Sequence, residues 1–146
     1  MTAGRYLYIV DYGSGNLRSV QKAFEHVGVD VQVGDDPAGM AAAAGLVLPG
    51  VGAFGAAMAQ LEERGLVEPL LQRIDEGVPF LGVCLGLQLL FEGSEEDPGA
   101  CGLGLIRGDV RALPDRVKVP HIGWNQVEWC RDSDLLDDIP DGSAFY

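Results

Sequence analysis

Short apolar runs alternating with stretches of helical period constrain this chain more than any other feature. Tyr6 to Val10 reads as a buried strand ended by Asp11, after which Leu17, Val20, Phe24 and Val27 recur at helical spacing until Gly28. Val29 to Val33 and Gly45 to Leu48 read as the second and third strands, with a short helical run, Ala41 to Ala44, between them. Ala56 to Glu76 is expected to be helical in two pieces, Gly65 and Pro69 marking the break. Val78 to Val83 is a fourth strand that runs straight into Cys84 and a helix, Leu85 to Phe91. LYIV and PFLGV are apolar throughout, as strands covered on both faces are. The alternation predicts an α/β fold with a doubly wound, mostly parallel sheet. After Gly93 the pattern changes, and Leu105–Leu113 and Asn125–Trp129 are expected as antiparallel strands separated by Pro114 and Pro120.

The 146 residues suit a single domain with one sizeable core. No apolar run approaches the roughly 20 residues that cross a bilayer, so no membrane partner is expected. Met1 to Tyr8 lacks a basic stretch followed by a long apolar core, so no signal peptide is expected and a cytoplasmic setting is the default. A net charge of −12 repels a phosphate backbone and argues against nucleic acid. The acidic clusters, Glu92 to Asp97 and Asp132 to Asp141, read as solvated loops. Cys84, Cys101 and Cys130 form no CxxC pair, so neither a disulfide framework nor a metal site is expected, and at most one of them carries chemistry.

That one is Cys84. It lies in GVCLG, Gly82 to Gly86, between a strand and a helix, the arrangement of a nucleophile elbow with cysteine in the serine's place. A tight strand-to-helix turn lifts the side chain out of the sheet, and glycines flank it because the backbone there is crowded. The helix N-terminus favours the charged thiolate, and its free N–H groups can receive an oxyanion. The competing reading is a buried structural cysteine.

LPGVGAFG, Leu48 to Gly55, stands at the carboxyl end of another strand, the edge where open parallel sheets bind ligands. The glycines around Val51 allow a peptide to turn its N–H toward a substrate carbonyl, beside the N–H of Leu85; an ordinary glycine-rich turn is the alternative. DYGSGN, Asp11 to Asn16, lacks the third glycine of a dinucleotide fingerprint, because Arg18 stands there. No cofactor follows from it; a turn capped by Asn16 and a contact site remain open. In VPHIGWNQV, Trp124 beside His121 and Asn125 is more typical of an interface than of a core. His121 also has to be weighed as a catalytic base, whereas His26 is expected on the surface at a helix end.

Taken in order, DYGSGNLRSV, LPGVGAFG, GVCLGLQLLFEGSEE and PHIGWN closely resemble the four motifs of the glutaminase subunit of imidazole glycerol phosphate synthase, a class I triad amidotransferase. GxCxG alone would indicate only some class I amidotransferase; PGVGAFG combined with PHxGWN is far more specific. The resemblance implies hydrolysis of L-glutamine to glutamate and ammonia without a cofactor. Cys84 would attack the carboxamide, and the oxyanion would sit between the N–H of Leu85 and the Val51–Gly52 segment. Gly50, Gln88 and Glu96 match positions that hold the glutamine, and Asn16, His121, Trp124 and Asn125 match interface or signalling positions. The implied partner is a (β/α)8-barrel cyclase, in a heterodimer that makes imidazole glycerol phosphate and aminoimidazole carboxamide ribotide for histidine biosynthesis.

Asp141-Gly142-Ser143 signals a turn, and Ala144 to Tyr146 begins a strand in which the chain stops, so the sequence is expected to be a fragment incomplete at its C-terminus. The resemblance places the catalytic His and its Glu just after a segment like GSAFY, so the chain as given is expected to be nearly inactive and poorly stable alone. Two other readings stay open: a catalytically inactive binding subunit, and a class I amidotransferase serving another synthase.

Overall fold

The computed structural model describes residues 6–146; of the stretch in which no targeting signal is expected, Met1 to Arg5 lie outside the described residues. The chain divides into two compact units, up to Ala112 and from Leu113 onward. In the first, β1 (Leu7–Val10), β2 (Val31–Gly34), β3 (Gly45–Gly50) and β4 (Phe80–Cys84) form one sheet in the order β2-β1-β3-β4. All three pairings are parallel, with Leu7 opposite Val31 and Gly45, and Gly50 opposite Cys84. The parallel α/β expectation therefore holds.

The connections are helical: α1 (Leu17–His26), α2 (Pro37–Ala42), then α3 (Phe54–Glu63) and α4 (Val67–Asp75) in succession. Asn16 caps α1 by accepting the Ser19 N–H at 3.4 Å, and Gly28 ends it at φ +81°, a left-handed conformation that costs glycine little. α2 starts earlier than its alanine run suggests, because Asp36 caps it through the Ala38 N–H at 3.0 Å and Pro37 supplies a preset first residue. The break between α3 and α4 falls at Gly65, φ +65°, and not at Pro69. Pro69 sits in the first turn of α4, where a missing N–H leaves no intrahelical bond unmade.

The two faces of the sheet are covered unequally. Tyr8, Val10, Leu46 and Leu48 point to one face and join Met40 of α2, Phe54 and Leu61 of α3 and Leu70 of α4 in one buried cluster. Ile9 and Val47 are buried on the other face, yet α1 has no fully buried residue and Val33 stays 37% exposed.

After β4 the structure departs from the sequence reading. The expected helix Leu85–Phe91 is one turn, α5 (Leu85–Gln88), followed by β5 (Phe91–Ser94). The carbonyls of Leu89 and Phe91 instead accept the N–H groups of Leu103 and Gly104, so pairing with a distant segment overrides local helical period. Leu105–Leu113 shortens to β6 (Ile106–Val110), which pairs with β5 in parallel, not antiparallel. The link between them turns back first, forming an antiparallel bridge between Gly93 and Cys101.

The second unit keeps only Asn125–Gln126 of its expected strand, as β7, antiparallel to β8 (Ala144–Phe145). Trp129 leaves the ladder because its backbone N–H goes to the Asp141 carboxylate at 2.8 Å and its indole N–H to the Ile139 carbonyl at 3.0 Å. No helix among the described residues is long and apolar enough to cross a membrane.

Candidate active site

In the order β2-β1-β3-β4, successive connections leave in opposite directions from β1 and β3, which opens a crevice at the carboxyl edge between them. The loop after β1 (residues 11–16), the loop after β3 (residues 51–53) and the end of β4 all reach that edge.

Cys84 stands there with φ 56° and ψ −118°, the only non-glycine residue of positive φ among the described residues. Such a backbone costs on the order of 1–3 kcal/mol and persists only where the surroundings over-determine it. They do so here. A Cβ on Gly82 would come within 2.8 Å of the Gly86 carbonyl oxygen and the Leu87 backbone, and one on Gly86 within 1.8 Å of the Leu48 carbonyl oxygen. The flanking glycines are thus steric requirements of the turn, and Cys84 is exposed, unlike a structural core cysteine. Because α5 is a single turn, its contribution is the local N–H groups that its first residues leave unpaired, Leu85 foremost, and not the dipole of a long helix.

Gly50 is buried directly opposite Cys84, and a Cβ there would meet the Tyr12 hydroxyl at 2.5 Å and the Leu85 Cβ at 3.0 Å. Val51 and Gly52 are exposed at the edge, Gly52 at φ +97°. The Val51 carbonyl accepts a hydrogen bond from the Ser14 hydroxyl at 2.7 Å, which ties the β3 loop to the β1 loop. Ser14 lies between Gly13 and Gly15 inside the DYGSGN turn, and that place in a strand-end loop was the available signal for its tie to the β3 loop.

Tyr12, also in that loop, is fully buried, and burial pushes its phenol above the usual range. A hydrogen bond with the Ser14 side chain works against that rise, and charge on Cys84, when it is ionised, adds to it. The Ser14 proton goes to the Val51 carbonyl, which leaves the Ser14 oxygen as the acceptor nearest the Tyr12 hydroxyl.

Gln88 closes α5, half-buried. The Glu96 carboxylate accepts the N–H of Phe54 at 3.1 Å, so it holds the start of α3 just behind the Val51–Ala53 loop. Its neighbours do similar work: Glu92 accepts from Gly108 N–H at 2.8 Å and Glu95 from Ala112 N–H at 3.0 Å. Glu92 lies in β5 beside buried Ser94, and only Glu95 to Asp97 form the exposed loop expected of the whole segment; the three carboxylates each bind a backbone donor.

Asn16 is exposed in the first unit as the cap of α1. His121, Trp124 and Asn125 gather in the second, where the His121 ring pairs with the Asn125 amide. Trp124, 72% exposed, packs edge-on against Tyr146 at 5.7 Å. His26 is exposed in the last turn of α1. Among the described residues no group of three or more His, Cys, Asp or Glu side chains is placed to hold a metal ion.

A sequence profile described as glutamine amidotransferase class-I matches residues 8–143. The chain is 53% identical over 142 residues to imidazole glycerol phosphate synthase subunit HisH of Moorella thermoacetica, covering 97% of this chain and 68% of that protein. It is 56% identical over 138 residues to the subunit of the same name from Methanothermobacter thermautotrophicus, covering 94% and 69%. With that of Aquifex aeolicus it shares 52% over 139 residues, covering 94% and 67%. The chain thus spans about two thirds of the length of these relatives. A solved structure titled a crystal structure of glutamine amidotransferase superposes with a TM-score of 0.60 at 20% identity, over 70% of this chain and 53% of that one, which bears on the fold alone. The chain belongs to the class-I glutamine amidotransferases, and among them to the family of the HisH subunits of imidazole glycerol phosphate synthase.

Proposed function

We propose that this chain is the glutaminase part of an imidazole glycerol phosphate synthase, hydrolysing L-glutamine with Cys84 as nucleophile. The observation that carries the reading is the strained, exposed Cys84 at the carboxyl edge of the sheet, opposite Gly50 and immediately before Leu85, the first residue of α5. The thiolate attacks the carboxamide carbon, and the carbonyl oxygen takes the charge between the Leu85 N–H and the Val51–Gly52 segment. Protonation of the amide nitrogen releases ammonia and leaves a thioester on Cys84. Water then attacks the thioester, giving glutamate and the free thiol.

Gly50, Gln88 and Glu96 border the substrate in this reading, and the profile match across 8–143 supports taking both compact units as one amidotransferase domain. The ammonia passes to a (β/α)8-barrel cyclase, bound as a heterodimer, with Asn16 in the first unit and His121, Trp124 and Asn125 in the second as interface positions. The setting is the cytoplasm. His26 lies exposed in the last turn of α1, and the His121 ring pairs with the Asn125 amide. The family resemblance places the acid–base His and its Glu beyond a segment like Gly142–Tyr146. Loss of a general acid–base costs on the order of 10²–10⁴ in rate, so a polypeptide of residues 1–146 is expected to turn glutamine over that much more slowly than one carrying the pair.

Covalent labelling tests the nucleophile without needing turnover. All three cysteines are exposed, so exposure alone would label them alike. Iodoacetamide is expected to modify Cys84 at least about tenfold faster than Cys101 or Cys130, and saturating glutamine to suppress that excess selectively. Equal rates at the three sites, unaffected by glutamine, would favour a catalytically inactive binding subunit instead.

A further inference from the structure

We propose that Glu95 is a positioning residue of the glutamine site, holding its neighbour Glu96 in place and, through it, the start of α3 behind the Val51–Ala53 loop. The inference rests on the glutaminase reading, which gives Glu95 no part. Its starting point is that two consecutive carboxylates of one turn reach different parts of the first unit. Glu95 grips the chain at residues 110–112. Its N–H donates to the Val110 carbonyl at 2.9 Å, and one carboxylate oxygen accepts the Ala112 N–H at 3.0 Å. The Arg111 Nε lies 4.0 Å from the other oxygen. Glu96 accepts the N–H of Phe54 at 3.1 Å, at the head of a helix that has no side-chain cap of its own.

The turn that carries the pair is closed from behind. Ser94 is 7% exposed and stands opposite Val110 in the β5–β6 ladder. Its hydroxyl accepts the Glu96 N–H at 3.2 Å, and its carbonyl accepts the Asp97 N–H at 3.2 Å. Ser94 thus anchors one side of the turn, and Glu95 ties the other to residues 110–112.

That tie sets the worth of the Glu96 bond. A side chain on a loose loop gains little from one N–H, because ordering the loop costs as much as the bond returns. Glu95 meets that cost in advance, so Glu96 reaches Phe54 from a backbone already fixed. The grip is mainly hydrogen bonding, since the side chains of Glu95 and Arg111 are both mostly exposed and such a pair contributes little. Ala112 is also the last residue of the first unit. A displacement of the chain there reaches the head of α3 through two adjacent residues.

The test uses the full chain, two electrophiles and a double-mutant cycle. The chloromethyl ketone analogue of glutamine joins its methylene carbon to the Cys84 sulfur with loss of chloride, at a rate that saturates once the glutamine site is filled. Iodoacetamide needs only the thiolate. Glu95→Ala is expected to raise the half-saturating ketone concentration about fivefold, with the iodoacetamide rate at Cys84 unchanged. Amide exchange at Phe54 is expected to quicken in the same variant. Glu95→Gln keeps an oxygen for the Ala112 N–H and is expected to restore both values. In a Glu96→Ala background, Glu95→Ala is expected to add nothing, because the residue it positions is gone. An equal factor in both backgrounds overturns the proposal, since Glu95 would then act by another route. So does an unmoved Phe54 amide or half-saturating concentration, and so does a parallel change in the iodoacetamide rate, the mark of a general loosening. If wild-type Cys84 shows no selective, saturable labelling by the ketone, the glutaminase reading itself falls and this inference with it, an outcome distinct from the others.

Discussion

Residues up to Ala112 and those from Leu113 onward are held together in different ways. In the first unit, parallel strands satisfy one another's backbones and a continuous apolar cluster runs from Tyr8 to Leu103. In the second, no residue is fully buried. Its order rests on a two-residue ladder, the two hydrogen bonds of Trp129, and edge-on aromatic pairs, Trp124 with Tyr146 and Trp129 with Phe145. The contrast teaches where each kind of function can live. A positive φ at a cysteine survives only inside a unit rigid enough to impose it, and Cys84 is there. Trp124, His121 and Asn125 are exposed, and their contacts are the Tyr146 ring for Trp124 and each other for His121 and Asn125.

The largest effect that would break this contrast is expected from Gly86→Ala. Its methyl would have to displace the Leu48 carbonyl, a backbone atom 1.8 Å away, and overpacking against backbone is expected to cost about 3 kcal/mol in denaturant melts. A cost below about 1 kcal/mol would mean that the elbow yields easily and that Cys84 is not held by its neighbours. Truncation measures the same difference by removal. Leu61→Ala, at a fully buried position of α3, is expected to cost about 2–5 kcal/mol through lost transfer energy and a residual cavity. Leu135→Ala, at a side chain 71% exposed in the second unit, is expected to stay within about 0.5 kcal/mol. Comparable losses at the two leucines would erase the distinction between the units.

The same distinction governs what the sequence could reveal. β1 and β3 were legible because a strand buried on both faces must be apolar at every position, and β4, only partly buried, through its apolar run into Gly82-Val83-Cys84-Leu85-Gly86, where close backbone approach leaves room only for glycine two residues to either side of Cys84. Local signals failed where partners are distant. The helical period of Leu85–Phe91 gives no hint that Leu103 and Gly104 will claim the carbonyls of Leu89 and Phe91. The pairing sense of β5 and β6 is equally silent, since alternation shows a strand without showing its neighbour's direction. In the site, Cys84, Val51 and Gly52 were visible through glycine spacing, whereas Tyr12 and Ser14 were not. A tyrosine and a serine in a turn are ordinary residues; only the β1–β3 crevice brings them to Gly50 and Val51.

The smallest expected effect tests whether the rigidity of the first unit extends into its acidic loop. α3 begins at Phe54 behind Ala53, which offers no side-chain acceptor, so the first turn lacks a local cap. Glu96, 42 residues later, supplies one by accepting the Phe54 N–H at 3.1 Å, and a Cβ on Gly55 would come within 1.9 Å of the Asp97 carboxylate. Two carboxylates at a helix N-terminus complement its dipole as well as its unpaired donors. Glu96→Ala is therefore expected to lower stability by about 1 kcal/mol, the usual worth of a cap. Glu96→Gln keeps an oxygen that can accept the same N–H and gives up only the charge, so it should restore all but about 0.3–1 kcal/mol of the dipole contribution. If both variants lose equally, charge and not acceptance holds α3. If neither loses anything, water caps the helix as well as Glu96 does, and the loop behind Val51 and Gly52 is fixed by Ser14 alone.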